Sequence, residues 1–75
     1  MNIWDAVDRK MMDIAEEVRQ RGKVKASELV WDYGIALETL MKKAKDFKLR
    51  VVRETYMKGL YETFRYVVVV ADEEG

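Results

Sequence analysis

The sequence predicts an α+β domain with elements in the order α-β-α-α-β-β: three helices and a small antiparallel sheet. Three observations predict it. Apolar residues recur at helical spacing up to about residue 48, and from Leu49 the pattern turns extended, rich in β-branched and aromatic residues. Glycines mark the joints, at Gly22, Gly34 and Gly59. The length, 75 residues, suits one domain near the lower limit at which an apolar core sustains a fold unaided.

Each element has its own signal. Trp4, Val7, Met11, Ile14, Ala15 and Val18 form one stripe of a first helix over about residues 3–21. Asn2 is its candidate cap, Asp5 sits in its first turn, and Arg19 and Arg21 suit the dipole of its last. Gly22 supplies the left-handed position after it. Lys23, Val24 and Lys25 alternate as a short edge strand. Leu29, Val30 and Tyr33 then mark a short second helix, and Gly34 offers the positive φ of a tight turn. A third helix, about 36–48, lines up Leu40, Ala44 and Phe47 on one face. Two strands follow, with Lys58 and Gly59 as the hairpin tip, which sets Tyr56 opposite Tyr61. Residues 67–70, four consecutive valines, read as a strand covered on both faces. The domain is read as residues 1–71, and 72–75 as a solvated acidic tail.

Composition narrows the functional classes. The chain has no cysteine and no histidine, so disulfides are excluded and the usual zinc sites nearly so; no metal or other cofactor is expected. There is no signal-like start and no apolar run of the ~20 residues a bilayer requires, so a cytoplasmic protein without membrane contact is expected. Net charge is zero, but residues 23–70 hold ten bases against six acids, a body compatible with a DNA-facing surface. A charged fraction of 37%, with no proline, one asparagine and one glutamine, leans towards a heat-adapted source. Acidic pairs such as Asp13 with Glu16 lie on a solvated helix face. No phosphate-binding loop, nucleophile elbow or metal-ligand cluster is present, so no enzyme and no small-molecule ligand is expected.

The segments GKVKASELVWDYGIALETLMKKA and LRVVR…KG…FRYVVV resemble the winged helix-turn-helix family of DNA-binding proteins. Leu29, Ile35, Leu40 and Ala44 stand at that family's core positions and Gly34 at its turn. In size and composition the chain is also similar to small regulators of crenarchaeal viruses and plasmids. The resemblance implies a recognition helix at the third helix and a wing at the hairpin. Two departures remove hydroxyls: Lys25 stands where the family caps its second helix, leaving Ser27 as a later cap. Ala36 and Leu37 stand where it carries a Ser or Thr and then a reader.

On the third helix, Thr39 and Lys42 are one turn apart and could enter a major groove, with Lys43 and Lys45 reaching phosphates. The alternative is an ordinary solvated face. Leu37 and Met41 flank the core stripe and are expected to widen it. Left exposed, they would form an apolar patch for a protein partner or thymine methyls. On the wing, Arg53 and Lys58 are read as DNA contacts, although basic residues there also discourage sheet-to-sheet aggregation. Trp4 and the valine run suggest a homodimer. The expectation is a transcriptional regulator that binds double-stranded DNA as a homodimer, with sequence-tolerant to moderate specificity. The alternative is a winged-helix protein-protein module in a larger assembly, using Leu37, Met41 and the last strand, with Trp4 a further candidate contact.

Overall fold

The computed structural model describes residues 3–60 and 62–72. Helix α1 (Ile3–Arg21) leads into strand β1 (Lys23–Lys25), helix α2 (Ala26–Tyr33) and helix α3 (Leu37–Lys43). One turn of 3-10 helix (Ala44–Phe47) then joins α3 to the hairpin strands β2 (Leu49–Lys58) and β3 (Glu62–Ala71). The fold is winged-helix-like α+β, in the order the sequence predicts. Asn2, Tyr61 and the last three residues lie outside the described residues, as does the side chain of Trp4.

The core forms where the α1 stripe meets the sheet. Met11, Ile14, Ala15 and Val18 of α1 are buried with Val24, Ala26, Leu29, Ile35, Leu40, Ala44, Leu49 and Val69. Each large aliphatic side chain removed from water contributes about 1.5–3 kcal/mol. Around this stripe α1 also holds the other helices by polar contacts. The Lys10 ammonium donates to the Gly34 carbonyl at 3.3 Å, and Arg19 donates to the Phe47 carbonyl at 3.3 Å. These carbonyls end α2 and the 3-10 turn, where helical partners run out. Gly34 itself has φ 60°, the left-handed turn expected of it.

The sheet order is β1-β3-β2, so β3 is the central strand. Val69 pairs with Val24 on one side and Val51 on the other, and Val68 with Lys25 and Val52. Val69 joins the core under the helices. Val68, on the opposite face, is buried as well. The valine run is thus consumed inside the chain, with both edges of β3 already hydrogen-bonded.

Several expectations are corrected. The third helix does not stay α-helical to 48. After Lys43 it tightens to 3-10, and Lys48 takes φ 59° to turn the chain into β2. Phe47 is consequently half-buried rather than fully so. Leu37 and Met41 do not widen the buried stripe; they are 42% and 45% exposed. The physical reason is a rotation of α3 towards α1, which half-buries the Thr39 and Lys43 flank instead. There Lys43 Nζ reaches Asp8 Oδ1 at 2.7 Å. Ser27 does not cap α2, which starts after Lys25 with no side-chain cap bond. Asp72 is no free tail residue, since its N–H donates to the Lys48 carbonyl at 2.8 Å.

This packing separates α3 into buried and exposed positions by stability. Leu40→Ala should cost about 2–5 kcal/mol in chemical unfolding. Leu37→Ala and Met41→Ala should each cost under about 1 kcal/mol. Equal costs at all three positions would contradict the rotation of α3.

Candidate nucleic-acid interface

Strand parity decides what the wing presents. Alternate residues of a strand face opposite sides, and the β2–β3 register runs without a bulge from Leu49↔Ala71 to Lys58↔Glu62. Val51, Val67, Val69 and Ala71 pack with the helices. The same parity carried outward gives this inner face Arg53, Thr55 and Met57 from β2, with Thr63 and Arg65 from β3. Glu54 has the opposite parity, and Glu62 stands at a register position of that same outer set. Both arginines of the outer hairpin therefore share the helix-side face, and the acidic positions fall on the other. Arg53, Thr55, Arg65 and Val67, with Tyr66 between the last two, line one shallow depression.

Beside it runs a second cleft, between α3 and the base of the hairpin. Met41, Ala44, Lys45, Leu49, Arg50, Val51 and Asp72 line it. Lys42 and Lys45 are exposed on the helical side, and Thr39 is half-buried on the flank of α3 that also carries Lys43. Among the described residues, Lys42, Lys45, Arg50, Arg53 and Arg65 form no ion pair. The paired cations lie elsewhere: Arg21 with Glu17 and Glu28, Lys23 with Glu54, and Lys43 with Asp8. One face of α1 is acidic, with Asp13, Glu16 and Glu17 along a groove beside Tyr33.

Of the residues singled out in the sequence, Lys45 lines the cleft at the base of the hairpin, Arg53 lines the depression on the hairpin, and Lys42 is exposed on α3. Lys58 is exposed near the hairpin end, and Thr39 is half-buried. Lys43 is turned to α1. Arg65 joins Arg53 on the helix-side face without having been chosen from the sequence, while Arg50 has the opposite strand parity and touches only the cleft at the base of the hairpin. The signal for Arg65 was the hairpin register, which the turn residues left ambiguous.

The outer face of the wing is a bracing network. Tyr56 is not set against Tyr61; it opposes Phe64 in register and stacks on Tyr66, with centroids 4.8 Å apart and planes 11° off parallel. Lys25 lies 4.9 Å from the Tyr66 ring centre, a cation–π contact from β1. Glu54 accepts from Lys23 at 2.9 Å and from the Tyr56 hydroxyl at 2.9 Å. The Tyr66 hydroxyl, and then the Glu54 carboxylate, push the Tyr56 hydroxyl well above its ordinary range. The Lys23 ammonium, and next the Tyr56 hydroxyl, hold the Glu54 carboxyl below its ordinary value.

No protein-family model matches this chain, and no curated protein or solved structure matches it either. The residues and their geometry carry the functional argument.

The bracing network has a pH signature. Because the folded state lowers the Glu54 pKa, its contribution is present above the carboxyl's ordinary 4.5 and lost as pH falls through the lowered value. Glu54→Gln should therefore melt below the parent at pH 7, and the two melting curves should converge well below pH 4. A gap that persists in acid would show that the Glu54 charge does not brace the wing.

Proposed function

We propose that this protein binds double-stranded DNA as a transcriptional regulator of the winged helix-turn-helix kind. The observation that carries the reading is the parity of the wing. Its two outer arginines share the helix-side face, the hairpin's acidic positions fall on the opposite face, and the exposed Lys42 and Lys45 of the helical side form no ion pair among the described residues. A two-walled cationic cleft matches a polyanion whose charges run along two ridges, with α3 towards the major groove and the wing along the backbone.

The same surface accounts for limited sequence readout. The start of α3 offers Leu37, Glu38 and Thr39, which supply one hydroxyl and apolar contact but no bidentate donor. Affinity would come chiefly from phosphates. Leu37 and Met41, exposed beside the cations, suit thymine methyl groups. Such a partner calls for a cytoplasmic protein, and no described helix is long and apolar enough to cross a membrane. A homodimer now draws its support from Trp31, 86% exposed on α2, because the valine run is already used within the sheet.

A second reading, a winged-helix module that docks another protein, is favoured by one set of observations: Trp31, Leu37 and Met41 are all exposed. The two readings divide on salt. Binding to duplex DNA should weaken with added salt, and each phosphate contact removed should lessen the log-log slope by about 0.9. Lys42→Ala with Lys45→Ala, and separately Arg53→Ala with Arg65→Ala, should each flatten that slope while leaving the melting temperature near the parent's. Lys43→Ala should behave differently, lowering stability through loss of Asp8 and changing the slope less. Unchanged binding by both double variants at every salt concentration would remove the cleft as the DNA surface and favour protein docking.

A further inference from the structure

We infer that the tip of the wing is an apolar wedge that enters the minor groove of a DNA duplex, parts a base step and bends the helix axis. The inference rests on the DNA-binding reading and adds to it what the wing does once bound. The wing is long for so small a body. β1 pairs only with Val68, Val69 and Val70, opposite residues 50–52 of β2, so residues 53–58 run on as a two-stranded arm. At about 3.3 Å per residue this arm extends about 20 Å. Neighbouring major and minor grooves lie about half a helical turn apart, about 17 Å along the axis. With α3 in a major groove, the arm has the length to bring its tip to the adjoining minor groove.

The arm is braced as far as Tyr56. The Tyr56–Tyr66 stack, the Lys25 cation over Tyr66 and the Lys23–Glu54–Tyr56 contacts tie it to β1 through its outer face. Its inner face holds Arg53 and Arg65, which complement phosphates on the way to the tip. At the end the chemistry changes. Leu60 is 82% exposed and Met57 72%, on either side of Lys58 and Gly59. Gly59 has φ 74°, which lets the chain turn tightly and keeps the tip narrow. Exposed Leu and Met side chains at the end of a braced cationic arm are the type of residue that parts base steps from the minor groove.

The test uses a mixed-sequence duplex of about 20 base pairs with a donor and an acceptor fluorophore on its two ends. Binding is followed separately by anisotropy. Saturation with the parent protein should raise energy transfer between the ends. Leu60→Ser with Met57→Ser should still bind, within about tenfold, but leave transfer at the free-duplex value; its melting temperature should match the parent's, since both positions are exposed. Leu60→Phe, which keeps a wedge, should preserve the rise. The wedge is overturned if the parent saturates the duplex with no change in transfer, or if the serine variant raises it equally. Outright loss of binding by the serine variant would make the tip an anchor and also overturn the wedge. A parent that binds no duplex at any salt concentration overturns the DNA reading itself, an outcome that anisotropy separates from binding without bending.

Discussion

The register of β3 between its two neighbours is the constraint on which everything else depends. Val69 must sit opposite Val24 and Val51 because all three pack with the helices, and a one-residue slip would turn every outward side chain over. Core burial thus fixes, by parity, which way charges point far from the core. Arg53 and Arg65 face the helix side because Val51, Val67 and Val69 do. The apolar core and the cationic cleft are two consequences of one alignment.

The same logic explains why Lys43 and its neighbours on α3 differ. Helix α3 spans only two turns, and its orientation is set by Leu40 beneath it and Asp8 beside it. Rotation towards α1 takes Lys43 out of the free cationic surface and brings Leu37 and Met41 into it. A partner meeting this face meets apolar and basic groups side by side. That mixture suits backbone-led binding with apolar contacts better than dense hydrogen-bond readout of bases.

Much of the fold was legible in the sequence because periodicity and glycine placement report directly on backbone geometry. The α1 stripe, the Gly34 turn and the change to strands at Leu49 all stand as read. The site was less legible, for a definite reason. Placing Lys58 and Gly59 as a two-residue tip sets Tyr56 against Tyr61, which puts Arg53 and Arg65 on opposite faces of the wing. The hairpin pairs Lys58 with Glu62, leaving residues 59–61 between them, and this single extra residue unites the arginines. The burial of α3 was misjudged for a related reason: a helical wheel gives spacing but not the rotation imposed by a neighbour. Ion pairing between Lys43 and Asp8, 35 residues apart, has no local signal.

The central claim, that the helix-side face of the wing is the DNA surface, is open to one direct observation. Arginine side-chain Nε–Hε resonances can be followed individually while duplex DNA is added. Arg53 and Arg65 should shift and broaden as phosphates engage them, while Arg21, held by Glu17 and Glu28 on the acidic side, should stay where it is. Movement of Arg21 with Arg53 and Arg65 unchanged would contradict the account and transfer the binding surface to the other side of the molecule.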